Sequence, residues 1–247
     1  MSAPRRYRRA QRGVALLVVL WVLALLSVLL AGLAGWVRLE SRQALWQRQH
    51  TQALLAAQAG LSLAVLGLSN TDPQRQWLAD GRAHALRFAD NTLAVSVFSE
   101  RGKLDLNSAS AGDFARLLKT LGVAASPADD AVQALSQRRG AEQTPLRLLE
   151  ELRELPGIDE ATYRRLLPHI TLWSGLERPE PAFASAPLRR ALALPVATPR
   201  AGDQGPVLTI DSQARLPDGF TSTLRVTLLL NPSKEGTRPY RVLRWQE

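Results

Sequence analysis

Arg5, Arg6, Arg8, Arg9 and Arg12, with no acid among them, lead up to Gly13; from Val14 to Val37 there follow 24 residues without a charge. Polarity changes abruptly at this one small residue, which directly follows Arg12 and directly precedes Val14. Other residues able to do chemistry do not assemble into a motif. His50, His84 and His169 lie far apart without ligand patterns beside them, and there is no cysteine. No GxSxG, HExxH, Walker A or GxGxxG occurs. Asp80-Gly81 and Asp218-Gly219 read as turn pairs. Asp129 and Asp130 read as a capping feature at a helix start rather than as cation ligands. The expectation is no catalysis, no cofactor and no metal.

The element that must carry the junction is a helix. Twenty-four helical residues extend about 36 Å, enough to cross a hydrocarbon core of about 30 Å with some tilt. A chain in hydrocarbon must satisfy its amides internally, which a helix does. The arginines before it place the N-terminus in the cytoplasm and everything after Val37 on the other side. Three readings of the segment compete. A secretory signal would be cut behind the apolar core, near Gly32-Leu33-Ala34, but such cores run to about 7–15 residues. A plain signal anchor would stay uncut. The third reading is a cut in front of the helix, at Gly13.

Of 247 residues, 46% are hydrophobic and 21% charged, and the formal charge is +9. Five of those charges sit in the first 13 residues, so the excess belongs to a leader rather than to a nucleic-acid-binding surface. The composition excludes a disulfide miniprotein, a cysteine-ligated metal protein and a fully disordered chain.

Beyond Val37 the helix is expected to continue to about residue 68, because no proline intervenes before Pro73. Ala53, Ala57, Leu61, Ala64 and Leu68 form one stripe at helical spacing, the mark of a buried face. His50 falls on the polar side and reads as solvated. Asn70 to Pro73 breaks the helix. TLAVSVFSE reads as a strand, and Arg101-Gly102 as a turn into a second strand, Lys103–Leu106. Asn107 and Ser108 are expected to cap a helix beginning near Ala109. Residues 108–175 read as helical and are interrupted by Pro156-Gly157. Residues 175–206, rich in Pro and Ala, read as a crossover or linker with a helical turn at Leu188–Leu194. Strands follow at Val207–Ile210, Thr221–Leu230 and Tyr240–Trp245, with a turn at Leu216 to Gly219. Together with 94–98 and 103–106 these make about five strands, expected as one antiparallel sheet.

The run of Arg12-Gly13 into VALLVVLWVLALLSVL resembles the leader of type IV pilins and type II secretion pseudopilins. The resemblance implies cleavage by a prepilin peptidase between Gly13 and Val14 and N-methylation of Val14. The fifth mature position, Glu in most pilins, is Val18 here. A carboxylate in hydrocarbon is costly without a partner, and a subunit with nothing above it gains nothing from one. Lacking that Glu is a feature of the K-type minor pseudopilins. The segments GKLDLN (102–107), LLEELRELPGIDEATYRRLLPHIT (148–171) and YRVLRWQE (240–247) are similar to stretches of that family, so the likeness touches roughly half of the chain.

What the resemblance implies is an α+β, pilin-like fold, its long N-terminal helix packed on an antiparallel sheet, with an inserted all-helical subdomain. The parts would be a leader (1–13), a transmembrane stretch (14–37), a periplasmic stretch of the same helix (38–70) and a periplasmic head (71–247). It also implies single-pass insertion in a bacterial inner membrane and a place at the tip of the periplasmic pseudopilus, for protein secretion. The implied partners are the I- and J-type minor pseudopilins, the major pseudopilin, the prepilin peptidase, the inner-membrane secretion platform, membrane lipid, and secreted substrate or secretin at the tip. Two departures stand out. The family's aspartate-rich D-W-x-D segment with calcium ligands is replaced by DDAVQALSQRRG (129–140), and the helical repeat after the Pro-Gly segment is shortened. The rival resemblance is to membrane-anchored helix-hairpin-helix DNA receptors, through Pro156-Gly157 and LNSASAGDFARLLKTLG (106–122). Against it, Asp159 and Glu160 stand where phosphate would sit, and residues 142–160 carry six acids against Arg147 and Arg153. Nucleic acid is therefore not an expected partner.

Overall fold

The computed structural model describes residues 11–72, 74–140, 144–230 and 239–247. Most of the leader expected over 1–13, and Glu142 of the acidic stretch, lie outside the described residues. The chain divides into two units, the first ending at Thr51 and the second spanning Gln52–Glu247.

The first unit, as described, is helical throughout, from Gln11 onward. It belongs to α1, Gln11–Leu68, an uninterrupted helix of 58 residues. The helix begins before Val14, so the expected cleavage site lies within it. Within Glu40–Leu68 an 18-residue window is apolar enough to cross a membrane, at mean hydropathy 1.5, yet half of that window is buried inside the protein. Its apolarity is that of a core helix.

In the second unit the end of α1 covers a five-stranded antiparallel sheet. The strands are β1 (Asp80–Phe88), β2 (Asn91–Ser99), β5 (Val207–Arg215), β6 (Thr221–Leu230) and β7 (Tyr240–Gln246), in the order β1-β2-β5-β6-β7. The fold class is thus α+β and pilin-like, as expected. The stripe Ala53, Ala57, Leu61, Ala64 and Leu68 is buried to the last residue, against Val95, Leu208, Ile210, Val226 and Leu228. Alternation decides which side chains take part: Leu224, Val226 and Leu228 face the helix, while Arg225 and Thr227 face away.

Two expectations about the sheet are corrected. The first strand, β1, was not expected at all. It is an edge strand whose run DGRAHALRF offers only Leu86 and Phe88 as large apolar residues, so it shows no period-2 signal. Residues 103–106 do not join the large sheet. Leu104–Asp105 (β3) pairs in parallel with Ile170–Thr171 (β4) as a separate two-stranded ladder.

That ladder anchors a helical module of α2 (Ala111–Thr120), α3 (Ala125–Arg138), α4 (Glu160–Leu166) and α5 (Ala186–Leu192). Its core holds Phe114, Leu117, Leu135, Leu152, Tyr163, Leu166 and Leu188. The residues expected to cap its first helix do other work. Ser110 is the N-cap of α2 and accepts from the Asp113 amide. Asn107 instead bridges to the backbone of Leu146, donating to its carbonyl at 2.9 Å and accepting from its amide at 3.1 Å. Asp129 and Asp130 cap nothing: they lie exposed beyond the first turn of α3, whose N-cap position is Ala124. The Pro/Ala-rich segment carries α5, a helix capped by Ser185. Buried Gln204 ties that segment to the sheet, accepting from the Ala79 amide at 3.1 Å while its carbonyl accepts from the Ser99 hydroxyl at 2.6 Å.

Candidate functional site: the helix junction and its apolar surface

Gly13 and Val14 lie in the first turn of α1 and Val18 in the next. Val18 is 56% exposed, and so are its neighbours: Leu16 to Leu30 include thirteen large apolar side chains, each between 54 and 73% exposed. They point in every direction around the helix, so one partner groove could not cover them. Burying such side chains is worth about 1.5–3 kcal/mol apiece, which makes lipid or surrounding helices the environment this surface demands. Its one hydroxyl is already satisfied there, since Ser27 donates to the Leu23 carbonyl at 2.8 Å.

A second apolar surface lies on the other half of α1. Between Gln49 and Thr71 the sequence has no Asp, Glu, Lys or Arg, even on the side turned away from the sheet. There Leu55 is 58% and Leu66 69% exposed, with Ala59 and Ser62 between them at spacings of four, three and four. A solvated helix face carries charge; an uncharged one at near-heptad spacing suits packing against another helix.

The histidines are each accounted for singly. His50 stacks on Trp46 and His84 on Trp77, their ring planes within 4° of parallel. His169 is buried, and its Nδ1 shares a hydrogen bond of 2.8 Å with the Ser185 hydroxyl. Burial, with Lys103 nearby, holds His169 below its ordinary pKa and hence neutral. Among the described residues no group of three or more His, Cys, Asp or Glu is placed to hold a metal ion.

At the Pro156-Gly157 turn, Asp159 is the N-cap of α4. Hydrogen bonds from the Thr162 hydroxyl and amide hold the Asp159 carboxyl below its usual range. The first amides of α4 are therefore occupied by the chain's own acid where a phosphate would have to sit. The other acids of this stretch are largely neutralised, a feature the sequence reading missed. Glu150 pairs with Arg244, Glu151 with Arg138, and Glu160 with Arg153 and Arg164. Three of these four ion pairs join positions far apart in sequence or on different elements, which is why local charge counting overstated the repulsion.

No family model matches the chain. No curated protein matches it either. Among solved structures, it is similar to a chain of the GspK-GspI-GspJ complex from the enterotoxigenic Escherichia coli type 2 secretion system. The TM-score is 0.55 at 15% identity, over 81% of this chain and 97% of that one. At that identity the likeness is one of fold: the chain has a type II secretion pseudopilin-like fold.

Proposed function

We propose that this chain is a minor pseudopilin of a type II secretion system, of the K type. It would be inserted once in the inner membrane, cleaved after Gly13, and seated at the tip of the periplasmic pseudopilus with I- and J-type companions. The observation that carries this reading is α1 itself. One helix is apolar and exposed all round at Leu16–Leu30, and its later turns form the core of a pseudopilin-like head. Cleavage after Gly13, in the first turn of α1, leaves the rest of that rod on the mature protein, to serve first as anchor and then as packing surface in a filament. The absence of an acid at Val18 suits a subunit with no neighbour stacked above it. The work done is assembly; the only covalent chemistry proposed is that done to the chain, at Gly13–Val14.

The test is mass spectrometry of the membrane-fraction protein from cells with and without a prepilin peptidase. A mature form beginning at Val14, present only with the peptidase and abolished by Gly13→Leu, is the expected result. An uncut N-terminus, or one beginning after Ala34, would overturn the reading. Co-purification with I- and J-type subunits tests the tip position. Salt-sensitive DNA binding by the full chain would favour a DNA receptor instead.

A further inference from the structure

The face of the sheet turned away from α1 is partly roofed by the helical module, and between them lies a cavity of about 80 Å³. Its apolar wall includes Phe98, Trp173 and Leu167; its polar wall comes from Lys103, Arg225 and Arg244, with the hydroxyl residues Thr209 and Thr227. All three cations have carboxylate partners: Glu100 for Lys103, Asp211 for Arg225 and Glu150 for Arg244. None of those carboxylates lines the cavity. The charged residues of the lining are thus all cations, while its Thr209 hydroxyl donates to Glu100 Oε1 at 2.6 Å.

Three buried polar atoms of these pairs lack partners among the described residues: Glu100 Oε2, Asp211 Oδ1 and, on a lining residue, the donor Arg244 Nε. Arg244 Nε is buried and has no hydrogen-bond partner among the described residues, although another nitrogen of the same guanidinium donates to Glu150 and to the Tyr163 hydroxyl. A buried guanidinium N–H without an acceptor is costly, and a ligand oxygen would remove that cost. Room for one water is roughly 10–15 Å³ on this measure, so the space admits a small organic group rather than a single solvent molecule. The Arg225 side chain is 46% exposed, which leaves a way in on that side.

We propose that this cavity is a binding site for a carboxylate on a short apolar stem, the charge meeting Arg244, Arg225 and Lys103 and the stem lying against Trp173 and Phe98. The same chemistry is offered by a free small carboxylate and by the C-terminal residue of another polypeptide.

Calorimetry on the full chain in detergent micelles tests this. Sodium propionate is titrated against its uncharged isostere propionamide, and acetyl-Gly-Gly-Val with a free C-terminus against the same peptide amidated. Saturable binding of the acid form, at least tenfold tighter than its amide, is expected. Arg244→Gln should weaken it at least tenfold, because a charge-assisted hydrogen bond is lost. Arg241→Gln, exposed on the same strand and outside the cavity, should leave it unchanged. Should Arg244→Gln lose its circular-dichroism signal, Arg225→Gln carries the same expectation. Tighter binding of the peptide acid than of propionate assigns a chain terminus as the source; the reverse assigns a free carboxylate. No saturable binding of either acid, equal binding of acid and amide, or affinity untouched in the folded arginine variants would overturn the proposal.

Discussion

Gly60 of α1 lies directly on Ser212 of β5: a methyl group added at Gly60 would stand 2.2 Å from the Ser212 Oγ, with Val95 Cγ2 next at 3.0 Å. That hydroxyl is buried under the helix and has no hydrogen-bond partner among the described residues. Gly60→Ala gains about 1 kcal/mol of helix propensity but overpacks the contact at a cost of about 1–3 kcal/mol. A net loss of about 1 kcal/mol is expected. Ser212→Ala removes an unsatisfied buried hydroxyl and should be neutral or stabilising by about 1 kcal/mol. The double variant should be at least as stable as the parent, since only the Val95 methyl then presses on the new Cβ. Urea unfolding of the four proteins gives the cycle; additive effects would mean that the two residues do not touch.

This contact shows what the sequence made legible and what it did not. The stripe on α1 could be read because its partners all demand the same thing, an apolar side chain every three or four residues. That Gly60 falls where helix and sheet approach most closely could not be read, because the reason sits on Ser212, more than 150 positions away. The same holds for β3: alternation in Lys103–Leu106 announces an extended segment but not its partner, and the partner is β4 in the helical module. The edge strand β1 stayed invisible because an edge exposed on one face has little need of large apolar residues. The candidate cleavage site, by contrast, is contiguous in sequence and needs no fold to bring its residues together. The carboxylate cavity was not, since its members are scattered from Phe98 to Arg244.

A second close approach holds the helical module together. Gly157 has φ +79°, and a Cβ there would fall 1.9 Å from the carbonyl oxygen of Pro127 in the first turn of α3. Both the conformation and the space require glycine, and the obstructing atom is backbone, which cannot swing aside. Gly157→Ala should cost about 3 kcal/mol. Hydrogen exchange should localise the loss to α3 and α4, with the amides of β5 and β6 still protected. Uniform loss of protection would mean that module and sheet unfold as one.

Acid should loosen the module through His169. Its folded pKa is lowered from the ordinary 6.5 by burial, with Lys103 adding to the effect. A histidine of this kind is neutral when folded, so its contribution is complete above about pH 6.5 and is lost as pH falls from there through the folded value. The Ser185 hydroxyl that shares a hydrogen bond with Nδ1 also accepts from the Leu188 amide and so caps α5. Protonation puts a charge into this buried site beside Lys103. Stability measured from pH 7.5 down to 5 should therefore decline, and His169→Gln should flatten the decline. Ser185→Ala should cost about 1 kcal/mol by loss of the cap. Parallel pH profiles for wild type and His169→Gln would remove the histidine from the account.

The position that tests assembly most directly is Val18. On the reading proposed above, no neighbour stands over this helix, so an acid introduced there has no amine to meet. Val18→Glu would then place an uncompensated carboxylate at a site 56% exposed to its surroundings, among apolar side chains. In hydrocarbon that costs about 2.5–3.5 kcal/mol at mid-span and less near an interface, where this early turn would lie. Membrane insertion should survive while the choice of neighbours changes. The chain has no cysteine, so one introduced at Leu17 reports its contacts without background. Cross-links from Leu17→Cys should reach companion subunits carrying matching cysteines along their helices. They should gain an additional partner, or lose the original ones, once Val18→Glu is added, and export should fall with them. An identical cross-link pattern and unchanged export in the two proteins would show that the missing acid has nothing to do with where this subunit sits.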